Sequence, residues 1–377
     1  MSKSNRYEDL PDTIQRTIST AEKYQKRVNK LLASSEKSPE NQLKALLHNP
    51  VDRNIFFKII DQGFRTKNTK RIAELLIYLF DRYGIPSFIS KQDRAMLWLA
   101  GHSKRGFPDM SVASIMKKIS YYTGSLLLSG EEKAFHKHVM SRKKQKFMMN
   151  INYVGKAIHG EDEVHQRINR YRIMLEDPSV EHVSIKISTL FSQLNVFAFE
   201  ETLSVLVDRL TRLFVYAQKE HFIDHRGQKC PKFISLDMEE YCYGELTIEA
   251  FMRTLEQPEL NDFSAGITLQ AYQPEYFTWQ KIVTEWAQKR VNEGGKPIKL
   301  RIVKGAHLEM ERIEAEHHNW PLVLYNRKLD VDANFKRMIE YGLEPSRARC
   351  VHIGAASHNL FDLAFAQSRE IVLLEYI

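Results

Sequence analysis

The sequence predicts an α/β fold in which a (β/α)₈ barrel follows an N-terminal helical arm. Two features of the chain indicate it. From residue 146 onward, eight short apolar, β-branched runs alternate with longer amphipathic ones, whereas the residues before them show only helical spacing of apolar side chains. Repeated alternation of strands and helices implies right-handed crossovers and a parallel sheet, and eight such units suggest a barrel. We expect the arm over 1–140 and the barrel over 141–377.

The arm consists of segments whose apolar residues recur on one helical face. The segments with this pattern are 12–35, 49–64, 69–86 and 111–130. Asp12 and Thr13 are candidate N-caps of the first helix, and Gly84 and Pro86 end the third. Because no catalytic signature occurs here, we expect the arm to pack on, or wrap around, the domain that follows.

The barrel region contains the runs predicted as strands. They are 146–152, 182–188, 232–238, 265–272, 298–306, 322–328, 348–357 and 370–377. Helical patterns such as 199–220 and 277–292 separate several of them. The chain would then end inside the eighth strand, with the final barrel helix missing. A doubly wound sheet is the competing topology, but no G-x-G-x-x-G follows the first strand, which weakens a dinucleotide-binding interpretation.

The composition is that of a globular protein and gives no sign of a nucleic-acid-binding, secreted or membrane-spanning one. Hydrophobic content of 43% and charged content of 27% are ordinary for a soluble globular chain, and the net charge of +8 comes from interleaved acidic and basic residues. The dense basic run 142–146 is better explained as a solvated lead-in to a strand than as a nucleic-acid surface, so no nucleic-acid partner is expected. The three cysteines lack disulfide or metal spacing, and no signal peptide or apolar stretch of ~18 residues occurs. We expect a cytoplasmic protein whose membrane contact, if any, is peripheral.

Polar side chains follow the predicted strands at their carboxyl ends, where the active site of a barrel gathers. Lys186, Gln270 and Arg301 lie inside apolar runs, and a buried cation is costly unless an anion pairs with it. The pattern indicates a ligand with phosphate or carboxylate groups. The alternative is a set of structural salt bridges, Lys186 with Asp237 and Arg301 with a glutamate. His317 and His318 lack metal-site spacing, so no metal is expected.

These strand ends resemble one family. The segments are "VSIKIS", "SLDMEE", "LQAYQ", "RIVKGAHLEMERIEAE", "KLDVDANFKRMI" and "GAASHN". Their order and spacing are similar to the proline dehydrogenase barrel of the bifunctional proline utilisation flavoproteins (PutA), from about Phe147 to the C-terminus. The resemblance implies non-covalently bound FAD, oxidation of L-proline to Δ1-pyrroline-5-carboxylate by hydride transfer to the flavin N5, and quinone at the membrane as electron acceptor. It also implies a homo-oligomer and a downstream aldehyde dehydrogenase module in the complete protein.

The resemblance assigns roles residue by residue. It makes Lys186, Asp237 and Arg301 catalytic, with Lys186 and Asp237 on the substrate side and Ile302 and Leu374 as apolar walls. The cofactor-binding residues it implies are Gln270, Arg301, Val303, Lys304, Gly305, Ala306, Lys328, His358 and Asn359. These assignments agree with the anionic ligand inferred above from the cations inside apolar runs. Cations near a flavin stabilise the negative charge that develops when the flavin is reduced. Gly305 would let the backbone approach the cofactor.

Three departures from the family pattern stand in this chain. His307 and Leu308 replace a frequent Tyr-Trp pair, Lys156 replaces a common glutamate, and the helix with two adjacent arginines for the proline carboxylate is expected to be absent.

Two other functions stay open. A lyase could use Lys186 or Lys304 as a Schiff base, and a non-catalytic scaffold could use the arm for docking.

Overall fold

The computed structural model describes residues 10–33, 46, 48–63, 66, 68–86, 89, 109–123, 132–153, 158–224 and 226–374. These residues fall into two compact units. One contains Met1–Lys26 with His138–Ile377, and the other contains Arg27–Lys137. Among the residues described, no helix combines the length and the apolar content needed to cross a membrane. The Lys156 departure lies outside the described residues.

Helices form the first part of the chain, as predicted. They are α1 (Asp12–Ala33), α2 (Pro50–Gly63), α3 (Thr69–Tyr83), α4 (Asp109–Thr123) and α5 (Glu132–Lys144). The smaller unit has its own apolar core, in which Phe56 of α2, Leu76 of α3 and Ile119 of α4 are buried. Asn68 caps α3 by accepting hydrogen bonds from the Lys70 and Arg71 amides. The helical periodicity of the arm therefore reflects a packed helical unit.

The larger unit is built on parallel strands. The strands are β1 (Asn150–Asn152), β2 (His182–Ile185), β3 (His221–Ile223), β4 (Lys229–Pro231), β5 (Phe233–Leu236), β6 (Gly266–Gln270), β7 (Ile298–Val303) and β8 (Val351–Ala356). Six of them form one parallel sheet in the order β1-β2-β5-β6-β7-β8, and β3 pairs with β4 as a small antiparallel hairpin. Parallel order brings all six carboxyl ends to one edge of the sheet.

Helices connect the strands and cover the sheet. They are α6 (Glu161–Glu176), α7 (Phe199–Lys219), α8 (Gly244–Leu255), α9 (Tyr276–Asn292), α10 (Leu308–His318), α11 (Lys328–Gly342), α12 (Pro345–Ala348) and α13 (Leu360–Leu374). The side chains of strand β7 alternate between the two faces of the sheet. Ile298, Leu300 and Ile302 are fully buried, whereas Lys299 and Arg301 point to the other face. The α/β class with a parallel sheet is thus confirmed.

Two predicted strands are wrong. Residues 322–327 form an irregular segment in which the Tyr325 amide donates to the Tyr272 carbonyl oxygen at 2.9 Å, and Lys328 begins α11. Residues 370–374, predicted as the start of the eighth strand, are the last residues of α13, while 375–377 lie outside the described residues. Both errors have one cause, because a short apolar run fits a strand, a helix or a buried loop equally well.

Candidate active site at the strand ends

A cavity of about 420 Å³ opens at the carboxyl ends of the parallel strands. Its volume falls within the range of small-molecule sites, roughly 300–1,000 Å³. The predicted site residues that line it are Lys186, Asp237, Gln270, Arg301, Val303, Lys304, Gly305, Ala306 and His358. The structure therefore brings together, from separate strands, most of the residues that the sequence placed in one site.

Asp237 and Arg301 form the central ion pair of the cavity. Arg301 Nη2 donates to Asp237 Oδ1 at 2.8 Å, and Arg301 Nε donates to Thr268 Oγ1 at 3.1 Å. The Thr268 and Ser184 hydroxyls each donate to the same carboxylate oxygen at 3.3 Å, and Asn152 Nδ2 donates to Oδ2 at 3.2 Å. Asp237 is buried, whereas the arginine side chain is 36% exposed. The guanidinium is thus fixed in direction and still accessible to a ligand.

Lys186 stands next to this pair with a different partner. Its Nζ lies 3.9 Å from Glu239 Oε1, and its side chain is 37% exposed. Glu239 is itself held by the amide and the hydroxyl of Ser188 at 3.1 and 2.7 Å. The salt bridges weighed from the sequence were Lys186 with Asp237 and Arg301 with a glutamate, and the structure has the opposite pairing. Lys186 keeps donor capacity for an anion, since the ion pair that its ammonium makes within the described part of the chain is long.

Gln270 carries a buried acceptor that has no partner. The side chain is 2% exposed, and its Nε2 donates to the Glu239 carbonyl oxygen at 3.2 Å. Among the described residues none donates a hydrogen bond to its Oε1, although this atom is shielded from solvent. A buried polar atom without a partner is costly, which points to a donor supplied by water or a ligand.

Lys304 lies at the cavity rim within a network of charged side chains. Its Nζ is 2.5 Å from Asp332 Oδ1 and 2.6 Å from Asp362 Oδ2. Burial would lower the pKa of Lys304, but its hydrogen bonds to Asp332 and Asp362 outweigh that effect and raise the pKa. The side chain is therefore held as an ammonium, and its third proton is the one left for a ligand.

Gly305 has a backbone conformation and surroundings that favour glycine. Its φ is +143°, and a Cβ would lie 2.5 Å from the Cδ1 and Cδ2 atoms of the Tyr272 ring. The Tyr272 amide donates to the Lys304 carbonyl oxygen at 2.8 Å, which holds ring and loop together. Close packing on Tyr272 thus requires this glycine, independently of any ligand.

Three predicted site residues do not line the cavity, and the side chain of a fourth, Leu374, lies outside the described part of the chain. Ile302 is fully buried on the opposite face of β7 from Arg301, so it cannot form a wall of the cavity. Lys328 is exposed and pairs with Asp332 at 2.6 Å, and Asn359 accepts a hydrogen bond from the Phe361 amide at the start of α13. Leu374 is in the last turn of α13. Because its side chain faces away from the cavity, Ile302 is not part of the proposed site.

The cavity also contains residues that the sequence did not single out for it. Asn152 and Thr268 line it, and Asp362 lies beneath its rim. Thr268 could have been found, because it lies two residues before Gln270 on the same face of β6 and pairs in register with Arg301. Asp362 could not, since its partner Lys304 is far away in the sequence.

His182 lies one layer below the cavity, two residues before Ser184 on the same face of β2. Its Nε2 is 2.6 Å from Ser235 Oγ, and its ring packs edge-on against Phe233. Burial, together with the positive charges of Lys299 and Arg301, lowers the pKa of His182 to about 3. The imidazole is therefore neutral at physiological pH and adds no positive charge beneath Arg301.

Comparison with known proteins places the chain in a family. The family model described as proline dehydrogenase matches residues 135–370, more than half of the chain. The chain belongs to the proline dehydrogenase family. This is a family of oxidoreductases, and the match spans every strand that contributes to the cavity. A sequence comparison with curated proteins finds no match.

Solved proline utilization A proteins share the fold. The chain is 32% identical to proline utilization A from Corynebacterium freiburgense, with a TM-score of 0.62 over 76% of this chain and 28% of that protein. The protein from Bdellovibrio bacteriovorus, inactivated by N-propargylglycine, is 23% identical with a TM-score of 0.75, over 96% of this chain and 36% of that one. The protein from Bradyrhizobium japonicum is 18% identical with a TM-score of 0.67, over 96% and 38%. The likeness confirms the predicted barrel fold, and the chain spans less than two fifths of each of these proteins.

Proposed function

We propose that this chain is the FAD-dependent, proline-oxidising module of a larger proline utilisation protein. The reaction would convert L-proline to Δ1-pyrroline-5-carboxylate by hydride transfer to the flavin N5. The observation that carries the proposal is the cavity itself, in which Arg301, Lys186 and Lys304 converge with Asp237 at the strand ends of a proline dehydrogenase family member. No other function proposed for the chain uses all four groups.

The donor set of the cavity suits a flavin. The unpartnered Oε1 of Gln270 can accept from a ring N–H, and the accessible Arg301 guanidinium can face the electron-rich edge of the ring. Lys304 and His358 also line the cavity, and both could donate hydrogen bonds to an anionic or ribityl portion of the cofactor. FAD, when bound, supplies the hydride acceptor. We assign Gln270, Arg301, the loop Val303 to Ala306, and His358 to holding it.

The remaining polar residues have roles toward the substrate and toward Arg301. Lys186 is assigned to the proline carboxylate, because it is a partly exposed cation whose ion pair with Glu239 is long. Asp237, with Thr268, fixes the direction of the Arg301 guanidinium. That fixed positive charge would stabilise negative charge on a bound flavin without reorganisation at the moment of reaction. His307 lines the same cavity in place of the aromatic residue frequent in the family.

The partners and the location are also part of the proposal. Electrons would pass to quinone at the membrane, contacted peripherally from the cytoplasm by a homo-oligomer. One structural relative is described as bifunctional proline utilization A. We accordingly propose that an aldehyde dehydrogenase module belongs to the complete protein and consumes the product.

A Schiff-base lyase is the competing function, and the geometry disfavours one of its two candidate lysines. A Schiff-base lysine must be neutral to attack a carbonyl carbon. The two carboxylates on Lys304 raise its pKa and hold it charged. Only Lys186 would then remain as a nucleophile.

A turnover assay on the FAD-loaded chain tests the proposal. L-Proline with an artificial electron-accepting dye should yield a product two hydrogens lighter, and D-proline should react far more slowly. Lys186→Ala should keep its FAD content and raise the KM for L-proline about tenfold or more, since a charge-assisted contact is worth roughly 1.5–3 kcal/mol. Lys281→Ala, which removes an exposed lysine of α9, is the matched control and should leave KM unchanged. Covalent trapping of a carbonyl compound on Lys186 by borohydride, without proline oxidation, would favour the lyase instead.

A further inference from the structure

Asp362 is a fully buried carboxylate in the first turn of α13. It accepts hydrogen bonds from Lys304 Nζ at 2.6 Å, from Lys336 Nζ at 2.7 Å and from the Ser357 hydroxyl at 2.9 Å. These donors come from three places, namely the loop after β7, helix α11 and the end of β8. A carboxylate with this many charged partners fixes the position of each of them.

Two of the three partners line the cavity. Lys304 and Ser357 are part of its wall, whereas Lys336 is not. The Ser357 hydroxyl donates its proton to Asp362 and accepts from the Asn359 amide at 3.1 Å, so its rotamer is fixed. Asp362 thus sets both groups on one side of the cavity without itself touching the space.

The charges of the network do not cancel. Lys304, Lys328 and Lys336 carry three positive charges, and Asp332 and Asp362 carry two negative charges, which leaves one positive charge. The lysine that reaches the cavity is Lys304, and its ammonium is shared between the two carboxylates. An excess positive charge held at the rim suits an anionic group of a ligand.

We propose that Asp362 is a positioning residue for the cofactor, acting through Lys304 and Ser357. Its carboxylate holds the Lys304 ammonium and the Ser357 hydroxyl in the arrangement that binds the anionic part of FAD, and it does so from outside the cavity. The proposal rests on the proposed flavin function. It adds a residue that lies beneath the site and has no direct contact with the ligand space.

Equilibrium binding of FAD, followed by the quenching of flavin fluorescence, tests the proposal on the full chain. Asp362→Asn should raise the apparent Kd for FAD about tenfold or more, because Lys304 loses a charged partner and the amide offers one acceptor oxygen to the three donors in place of two. Lys336→Met is the matched control. It removes a partner of the same carboxylate that does not line the cavity, so its Kd should stay within about threefold of the wild-type value.

A second variant keeps the test valid if Asp362→Asn alone does not fold. Asp362→Asn alone leaves the half-buried Lys336 without its carboxylate, which can prevent folding. The double variant Asp362→Asn/Lys336→Met removes one charge of each sign, so it should fold and still bind FAD about tenfold or more weakly. Measurements are made at a temperature where circular dichroism shows each variant to be folded.

The outcomes separate the two levels of the proposal. Weak binding in the double variant together with normal binding in Lys336→Met supports the role of Asp362. Normal FAD affinity in the double variant, with tight binding in the wild type, would overturn this role alone. Failure of the wild-type chain to bind FAD would overturn the proposed function and this role with it.

Discussion

Gly305→Ala is the sharpest test of the loop that lines the site. The new Cβ would lie 2.5 Å from two ring carbons of Tyr272, about 1 Å inside ordinary van der Waals contact. Tyr272 cannot move away freely, because its amide donates to the Lys304 carbonyl oxygen and its own carbonyl oxygen accepts from the Tyr325 amide. The substitution also places alanine at a φ of +143°.

The expected cost has two parts. A strained backbone conformation costs about 1–3 kcal/mol and overpacking of a tight contact costs about 1–3 kcal/mol. We therefore expect Gly305→Ala to lower the free energy of unfolding by roughly 2–6 kcal/mol. Gly294→Ala provides the matched control, since Gly294 has a φ of +93° and, apart from its chain neighbours, no described residue has an atom within 4 Å of the point that a Cβ would occupy. That variant should lower the free energy of unfolding only by the cost of the strained backbone.

Urea unfolding measures both variants, with the m-value checked for two-state behaviour. The steric part is isolated in a double-mutant cycle with Tyr272→Ala, in which Gly305→Ala should cost about 1–3 kcal/mol less than in the wild type. Equal costs in the two backgrounds would refute the ring contact. A cost below about 1 kcal/mol for Gly305→Ala in the wild type would refute the loop conformation itself.

Three further substitutions test the electrostatics of the site. His182 is neutral in the folded state because its pKa is lowered to about 3, whereas in the unfolded chain it binds a proton near pH 6.5. The free energy of unfolding should therefore fall as the pH drops below about 6.5. His182→Gln should remove up to about 1.4 kcal/mol per pH unit of that slope in unfolding experiments between about pH 6 and 4; an unchanged slope would contradict the neutral imidazole. Arg301→Met should weaken FAD binding or lower the flavin reduction potential by an amount equivalent to about tenfold or more, measured by titration, and normal values would make this arginine purely structural. Asp237→Asn should retain FAD but lower kcat more than it raises KM for proline, because Arg301 loses its fixed direction; an effect on KM alone would contradict that role.

Much of the site could be predicted from the sequence because parallel strands end at one edge. Lys186, Asp237, Gln270 and Arg301 each lie in the carboxyl-terminal half of an apolar run or directly after it, and the parallel order of the sheet brings these ends together. Alternation along β7 also decides which side chains share a face. Applied to Ile302, it would have excluded this residue, since a neighbour of Arg301 in a strand points the other way.

The partners of these residues could not be predicted in the same way. Lys304 is paired with Asp332 and Asp362, which lie on helices whose placement depends on how α11 and α13 pack. The choice between Asp237 and Glu239 as partner of Arg301 depends on how far each side chain reaches past the end of its strand, which spacing alone does not resolve. The false strand at 322–328 has a related origin, because buried apolar side chains such as Leu324 satisfy the core without a hydrogen-bonded ladder.

The central claim is that this cavity holds a flavin that takes electrons from proline. Its most direct test is the visible spectrum of the FAD-loaded chain under anaerobic conditions, recorded before and after addition of L-proline. We expect a yellow protein whose oxidised-flavin absorbance is lost with L-proline and is retained with D-proline. A bound flavin whose spectrum does not change with excess L-proline would contradict the claim.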